Sequence, residues 1–426
     1  MSASASGDRA RVLIAGAGMA GLEAALALRS CAGERAVVEM IDPGARFRMA
    51  ATATGRAFGV GTGVDLPLHP LVARAGATLR HGRLVAVDPA AHLATLAGGE
   101  SLPYDALLVA VGARPEAHLP GALTFTGHRE AAEVRAMVDG IAEAAAAGAR
   151  TDLAIVVPPG CSWPLPAYEL ALLAHEHVGR RAPGNEGDIT IVTAEDAPLA
   201  AFGPEAVVFM GHALDDAGVA VRLNAVTRAW RDGVLELAGD EPIAVERVIS
   251  LPVLRGPALD GLPHDPHGFV RSAPGGAVDG APDVWAVGDA GSFPVKQGGI
   301  ACEQADAAAA AIARALGEHV EPMEFAPVLR GWVWDAEGGA FLRADLRGGR
   351  DESPGVADRD PLWWPVSKVA GRFLAPFLRH FPRGSTFVDV PAARPPPRAE
   401  PQPVTGEAGT RCEWCGAEYP EPGDDR

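Results

Sequence analysis

The first patterned stretch of the chain is an apolar run followed by a glycine-rich turn. Residues 12–15 read Val-Leu-Ile-Ala, which predicts a strand buried on both faces of a parallel sheet. The motif Gly16-x-Gly18-x-x-Gly21 then leads into a helix. A second apolar strand over residues 36–41 ends on Asp42. This order of strand, turn, helix, strand and acid predicts a dinucleotide-binding unit.

Each glycine of this turn has its own predicted role. Gly16 permits the tight turn, Gly18 lets a pyrophosphate approach the backbone, and Gly21 lets the helix pack close to the strand. Free N–H groups and the positive helix end would hold the phosphates, while Asp42 would accept the ribose hydroxyls. A turn that serves packing only is the alternative, and the complete order of elements favours binding.

Two later strands end in glycine. The apolar residues before Gly112 predict a buried strand, and its return to the first sheet would bring Gly112 beside the dinucleotide. Residues 284–287 predict another strand, which ends in Gly288 and Asp289. A long helix is expected soon afterwards, over residues 300–316.

A second strand–helix–strand unit begins at residue 153. Its turn, residues 158–166, contains four prolines and one glycine, and Cys161 lies within it. Because proline has no N–H to offer a phosphate, this unit is expected to be Rossmann-like but poorly equipped for NAD(P)H. Glu195, near the end of its second strand, would repel a 2′-phosphate, so NADPH is disfavoured over NADH.

The pattern as a whole predicts an α/β protein with two Rossmann-like domains, whose parallel sheets are flanked by helices. A small aromatic-rich C-terminal subdomain and a Pro-rich disordered tail are expected to follow. The expected boundaries are 9–118 with 250–318 for a discontinuous FAD-binding domain, 119–249 for the second domain, 319–390 for the subdomain, and 391–426 for the tail.

Composition narrows the class of protein. A net charge of −17 over 426 residues argues against nucleic acid and against electrostatic docking on anionic lipid. The sequence has no apolar signal core and no apolar run of about 18 residues, so no membrane span is expected. The five cysteines do not form a disulfide framework, which suits a reducing cytoplasm. Only Lys296 and Lys368 are lysines among 37 basic residues, which makes a lysine at a motif position conspicuous.

On these motifs the chain resembles the flavoproteins with two dinucleotide-binding domains in the pyridine nucleotide–disulfide oxidoreductase superfamily. The resemblance covers about residues 10–385. The run from Gly288 and Asp289 to Gly298 is similar to the branch that contains sulfide:quinone oxidoreductases and type II NADH dehydrogenases.

The resemblance implies bound FAD and a set of residues around it. Asp42 would bind the adenosine ribose, and Asp289 a ribitol hydroxyl. Lys296 and the start of the helix would face the pyrimidine end of the flavin, where a cation and a helix dipole stabilise the reduced anion. The cofactor-binding residues expected on this basis are Gly16, Gly18, Gly21, Asp42, Gly112, Gly288, Asp289, Lys296, Gln297 and Gly299.

The cysteines do not complete the pattern of a sulfide-oxidising enzyme. Cys161 lies where one redox cysteine of that branch could sit, but no cysteine lies near residues 328–332. Cys161 and Lys296 are therefore candidates for catalysis, and Cys161 and Cys302 have the alternative of small buried side chains. Cys412 and Cys415 form half of a zinc site, and no complete metal site is expected.

Residues 362–378 are aromatic and amphipathic. Val366, Val369, Phe373 and Phe377 recur at helical spacing, which predicts a helix. The resemblance to quinone-reducing enzymes implies that such a helix lies on the inner face of the membrane near the quinone, and the alternative is that it packs on its own domain. The second interpretation is favoured slightly by the acidic net charge.

Three functions are considered. The first is an FAD-dependent oxidoreductase that passes electrons from an unknown small-molecule donor to a quinone or similar acceptor. The second is an NAD(P)H:quinone oxidoreductase, which requires an unusual dinucleotide site at the proline-rich turn. The third is a flavin-loaded regulatory protein whose tail engages a partner. A dimer is compatible with each of them.

Overall fold

The computed structural model describes residues 9–61, 63–184, 187–335, 338–346, 354–379 and 381. The strands of the first third of this region are β1 (Ala10–Ala15), β2 (Ala36–Asp42), β3 (Arg46–Arg48), β4 (Asp65–Pro67), β5 (Thr78–His81), β6 (Leu84–Asp88), β7 (Leu93–Leu96), β8 (Ser101–Pro103), β9 (Ala106–Val109), β10 (Arg114–Glu116) and β11 (Leu123–Thr124). The later strands are β12 (Leu153–Val157), β13 (Ile189–Thr193), β14 (Ala220–Arg222), β15 (Thr227–Arg231), β16 (Val234–Leu237), β17 (Ile243–Ala244), β18 (Arg247–Ser250), β19 (Val253–Arg255), β20 (Val284–Ala286), β21 (Val328–Val333), β22 (Ala340–Asp345) and β23 (Val356–Asp358). The α-helices in the same residues are α1 (Met19–Cys31), α2 (Ala53–Phe58), α3 (Leu68–Arg74), α4 (Ala131–Ala146), α5 (Leu165–Gly179), α6 (Pro204–Asp216), α7 (Gly298–Ala315) and α8 (Leu374–Arg379).

The first sheet is parallel and has the strand order β20-β9-β1-β2-β5. Strand β1 lies at its centre, where Val12 pairs with Val38 on one side and Ala106 on the other. Residues 12–15 are completely buried, as an unbroken apolar run in a parallel sheet requires. Strand β20 comes from a distant part of the sequence and closes the sheet beside β9.

The second sheet is also parallel and has the strand order β11-β18-β12-β13-β14. Its central strand β12 is buried on both faces and lies between β13 and β18. Helices α4 and α5 pack on this sheet through a large apolar core. The prediction of an α/β protein with two Rossmann-like sheets is therefore confirmed.

A small antiparallel sheet, β21-β22-β23, carries the aromatic residues of the C-terminal region. Trp332 stacks on Phe341 with ring centroids 5.1 Å apart, and Trp334 meets Trp332 edge-on at 5.6 Å. These rings belong to the same apolar core as α5. The small C-terminal sheet thus packs against the second Rossmann unit.

The prediction of a helix over residues 362–378 is wrong. Only α8 is helical there, and the preceding residues form an irregular segment with buried Trp363, Val366 and Val369. Pro365 and Pro376 remove N–H donors that a continuous helix needs, and Gly371 weakens helix formation further. The apolar side chains at helical spacing pack on the protein itself. The prediction of disorder for residues 391–426 falls outside the described residues.

Candidate functional site

The glycine turn after β1 has the close approaches that the motif predicts. Gly16 has φ +101°, and a Cβ there would lie 2.2 Å from the Ala110 carbonyl oxygen. A Cβ on Gly21 would lie 1.9 Å from the Gly16 carbonyl oxygen. By contrast, nothing lies within 4 Å of a Cβ placed on Gly18, which is the N-cap of α1. Gly16 and Gly21 are therefore tightly packed against neighbouring backbone, while Gly18 faces open space.

Asp42 holds this turn in place. Its carboxylate accepts hydrogen bonds from the Ala17 N–H at 2.8 Å and from the Gly44 N–H at 2.7 Å. The side chain is half-buried, and the acid thus lies beside the glycine turn, as the sequence predicts. Its contact with a ribose stays a prediction.

Gly112 follows β9 at the same edge of the first sheet. It has φ +73°, and nothing lies within 4 Å of a Cβ placed on it. The Ala110 N–H donates to the Ala15 carbonyl at 2.7 Å, which joins the end of β9 to the end of β1. The structure therefore brings Gly112, Gly16 and Gly18 to one edge, with two of these glycines facing open space.

Gly288 and Asp289 follow β20 in a short 3₁₀ turn. The Gly288 N–H donates to the Gln304 side chain at 2.9 Å, and a Cβ on Gly288 would lie 3.4 Å from Cβ of Ala20 in α1. Asp289 is half-buried, and its carboxyl makes no hydrogen bond to any residue that the structure describes. Burial raises the pKa of Asp289, against the effect of nearby Lys296.

Lys296 is a buried lysine with 7% of its surface exposed. Its ammonium donates to the Gly291 carbonyl and lies 4.2 Å from the ring centroid of Phe269. Burial lowers the pKa of Lys296 to about 8, although Asp289 opposes the shift. Lys296 is therefore not a solvated surface side chain, and its predicted role toward a flavin stays a prediction.

Gln297 fixes the start of helix α7. Its side-chain oxygen accepts from the Ile300 N–H at 2.8 Å, and its amide donates to the Arg330 carbonyl at 3.0 Å. A Cβ on Gly299 would lie 2.9 Å from that side-chain oxygen, so the cap leaves little room at Gly299. The N-terminus of α7 is thereby held next to strand β21.

The turn after β12 borders a cavity of about 440 Å³ at the carboxyl edge of the second sheet. Its lining includes Pro158, Pro159, Cys161 and Glu195. The Cys161 N–H donates to the Pro158 carbonyl at 3.0 Å and is therefore occupied within the turn. Glu195 accepts the Tyr168 O–H at 2.7 Å.

The described thiols are held in the neutral form by their surroundings. Burial raises the pKa of Cys161 to about 11, and it raises the pKa of Cys302 well above its usual value. A thiolate is the reactive form of cysteine, so neither side chain has the electrostatics of a redox nucleophile. Cys412 and Cys415 lie outside the described residues.

A second cavity, of about 50 Å³, lies beside the N-terminus of α7 and contains an ion pair that the sequence did not reveal. Glu169 accepts from the Lys368 ammonium, from the Trp334 N–H at 2.9 Å and from the Thr54 hydroxyl at 2.7 Å. Lys368 also donates to the Trp332 carbonyl and lies 3.8 Å from the Trp334 ring centroid. Both charged side chains are almost fully buried.

Two signals in the sequence could have indicated this pair. Glu169 is a lone acid within the apolar residues 167–174, and Lys368 is one of two lysines in the chain. Lys368 lies within the amphipathic residues 362–378, where a basic side chain is more simply explained as part of a polar helix face. Since Glu169 and Lys368 are 199 residues apart, no local pattern could pair them.

Among the described residues, no group of three or more His, Cys, Asp or Glu side chains could hold a metal ion. In the same residues, no helix combines the length and apolar character that crossing a membrane demands.

Two parallel five-stranded sheets, with an open glycine turn at the carboxyl edge of the first, define a protein built from two dinucleotide-binding folds. The family model described as pyridine nucleotide-disulphide oxidoreductase matches residues 10–315. The chain belongs to this family of flavin-dependent oxidoreductases, whose members typically bind FAD. No curated protein is significantly similar in sequence.

Solved structures share this fold at low sequence identity. The sulfide:quinone oxidoreductase of the hyperthermophilic bacterium Aquifex aeolicus has a TM-score of 0.72 and 16% identity, over 82% of this chain and 86% of that one. A ferredoxin reductase of Rhodopseudomonas palustris has a TM-score of 0.60 and 19% identity, over 79% and 83%. NDH2 from Plasmodium falciparum, in complex with NADH, has a TM-score of 0.54 and 16% identity, over 66% and 64%.

Proposed function

We propose that this protein is an FAD-dependent oxidoreductase that passes electrons through bound flavin to a quinone or a similar acceptor. The observation that carries the proposal is the carboxyl edge of the first sheet. At this edge, a Cβ placed on Gly18 or Gly112 would meet no protein atom within 4 Å, and the half-buried carboxyl of Asp289 follows the end of the neighbouring strand β20. A phosphate-bearing cofactor requires open backbone of this kind, and a hydroxyl-bearing one requires a free acceptor.

The residues present fit FAD. The first-turn N–H groups of α1 and the Gly18 backbone would hold the pyrophosphate, Asp42 the adenosine ribose, and Asp289 a ribitol hydroxyl. Gly112, Gly288, Gln297, Gly299 and Lys296 would complete the site within a discontinuous unit of residues 9–118 and 250–318. When bound, FAD supplies the redox chemistry, and the protein supplies position and electrostatics.

We place the electron acceptor beside α7, where the cavity of about 50 Å³ would have to widen, since small-molecule sites usually measure about 300–1,000 Å³. Phe125, Trp163 and Trp332 line this cavity, so planar aromatic surface is available there. Flat rings of this kind suit a quinone, because aromatic stacking rewards planar partners. The A. aeolicus neighbour is named for a quinone substrate, which agrees with this assignment.

Flavin binding is tested by Gly18→Ala. Because a Cβ at Gly18 meets nothing within 4 Å of it in the protein, the fold should tolerate the change while the methyl group intrudes on the pyrophosphate. We expect FAD affinity to fall at least about tenfold, which corresponds to 1.4 kcal/mol. Gly140→Ala in α4 is the matched control, since a Cβ there also meets nothing. Protein that stays colourless with excess FAD would refute the proposal.

A second candidate function uses NAD(P)H as the electron donor. The cavity of about 440 Å³ favours it, since this is the edge where a second dinucleotide would bind. Pro158 and Pro159, which have no N–H, and the Cys161 N–H, which already donates within the turn, argue against a second dinucleotide there, because phosphates need free donors. Stopped-flow mixing of the flavin-loaded protein with NADH, NADPH and sulfide decides between the two. Rapid flavin bleaching by NADH would establish the second function.

A further inference from the structure

The buried ammonium of Lys296 has few contacts within the protein. It donates to the Gly291 carbonyl and lies 4.2 Å from the ring centroid of Phe269. Among the described residues, no carboxylate forms an ion pair with Lys296, whereas the buried Lys368 is paired with Glu169. Because an ammonium has three N–H donors, one carbonyl and one ring leave it able to bind a further acceptor.

The ring of Phe269 is held by a tight loop over residues 265–269. The Asp265 carboxylate accepts from the His267 N–H at 2.8 Å and from the Phe269 N–H at 3.0 Å. The Asp265 N–H in turn donates to the Phe269 carbonyl at 2.9 Å. A Cβ on Gly256 would lie 2.1 Å from the Phe269 nitrogen, so the loop lies directly against the chain that follows β19. Hydrogen bonds and packing thus fix the backbone that carries the ring.

The next residue, Val270, joins this loop to the turn after β20. Its N–H donates to the Ala290 carbonyl at 2.9 Å, and Val270 pairs with Gly291 in an isolated parallel bridge. Gly291 is also the residue whose carbonyl accepts from Lys296. The loop and the turn that Lys296 contacts are therefore attached to each other.

The surroundings act on the charge of Lys296 in opposite directions. Burial lowers the pKa of Lys296, whereas the acidic side chains of Asp289 and Asp265 oppose the shift. An aromatic face attracts a cation, and the attraction is strongest where water is excluded. The ring of Phe269 therefore favours the charged form of the lysine, as the two acids do, and it does so from contact distance.

We propose that Phe269 is a positioning residue which, by holding the charged side chain of Lys296, raises the reduction potential of the bound flavin. This inference rests on the proposed function, in which Lys296 faces the pyrimidine end of the flavin. A cation there favours the reduced cofactor, because reduction adds negative charge. In this role the ring acts only through the lysine.

The midpoint potential of the flavin in the FAD-loaded full chain tests this role. We expect Phe269→Leu to lower the preference of the protein for reduced over oxidised FAD about tenfold, which is about 30 mV for a two-electron couple. Phe269→Tyr keeps a ring over the ammonium and should retain the wild-type potential. In the matched control Phe209→Leu, a half-buried ring that faces Arg359 is lost from helix α6, and the potential should not change.

A double-variant cycle separates an effect through Lys296 from a general disturbance of the loop. Lys296→Met should lower the potential, and adding Phe269→Leu to it should have no further effect. A wild-type potential in Phe269→Leu would overturn the proposal, and so would an equal loss with and without the lysine. Wild-type protein that binds no FAD would instead refute the proposed function, and this inference with it.

A second measurement needs neither a variant of Phe269 nor bound cofactor. The chain has only two lysines, so selective isotope labelling of lysine gives two sets of side-chain NMR signals. Lys296 lies over the Phe269 ring and Lys368 over the Trp334 ring, so ring currents should shift the ε-proton signals of both upfield. A set of signals with ordinary shifts that disappears in Lys296→Met would exclude the contact with Phe269 and overturn the proposal.

Discussion

At the scale of single residues, the buried pair of Glu169 and Lys368 shows how charge is accommodated in this core. Glu169 has three donors, and Lys368 has a carboxylate, a carbonyl and an aromatic face. Burial lowers the pKa of Lys368, against the effect of Glu169. Replacing one partner would leave the other as an uncompensated charge in the protein interior.

We therefore expect Lys368→Met to lower the free energy of unfolding by about 3–5 kcal/mol, because Glu169 then remains buried without a counter-charge. Urea unfolding of the variant measures this loss. The double variant Glu169→Gln/Lys368→Met should recover much of it, since no charge remains. As a control, Arg114→Met breaks the exposed pair with Glu116, and its effect should be close to zero. An effect that small for Lys368→Met would contradict the expectation.

At the scale of elements, contiguous patterns were predictable and long-range contacts were not. A few consecutive residues are enough to encode each of the apolar strands β1, β2 and β12 and the glycine turn at Gly16. The structure contains all of them. The prediction of a helix over residues 362–378 failed because the apolar side chains there are spaced to pack against other parts of the fold, and their match to the helical period is coincidental. The pairing of Glu169 with Lys368 is likewise a property of the assembled fold.

Packing between elements gives a prediction for Gly55 in helix α2. A Cβ at this position would lie 2.1 Å from the Trp334 ring and 2.4 Å from the Val60 carbonyl oxygen, so no side chain fits without moving α2 or Trp334. We expect Gly55→Ala to destabilise the protein by about 1–3 kcal/mol, despite alanine's higher helix propensity. Gly140→Ala in α4, where the added methyl meets nothing, should be stabilising. Thermal unfolding of the two variants compares them directly.

At the scale of the whole molecule, the sequence predicted the glycine-rich edge of the first sheet better than the small cavity beside α7. Gly16, Gly18, Asp42 and Gly112 come together because the carboxyl ends of parallel strands meet at one edge. The small cavity draws its lining from the first Rossmann unit, the second, and the C-terminal segment. Its composition depends on how these parts pack, which no single stretch of sequence encodes.

The pH dependence of stability is the last prediction, and it reflects partly exposed carboxyls with lowered pKa values and a buried carboxyl with a raised one. Against the opposing effect of burial, arginine hydrogen bonds hold the pKa values of Glu39, Asp65 and Asp139 low, so their stabilisation is lost as the pH falls below about 4. Burial raises the pKa of Glu23 from 4.5 to about 7. Its native form thus binds a proton more tightly than the unfolded chain does.

The contribution of Glu23 is therefore complete below about pH 4.5 and is lost as the pH rises through about 7. The difference amounts to about 3 kcal/mol. Stability should peak at about pH 5 and decline toward pH 8, which urea unfolding across this range measures. In Glu23→Gln the decline should be smaller but still present, because burial also raises the pKa of neighbouring Asp306, which continues to titrate. Removing the exposed charge of Asp279 should leave the decline intact, and equal slopes in the wild type and Glu23→Gln would show that other groups cause it.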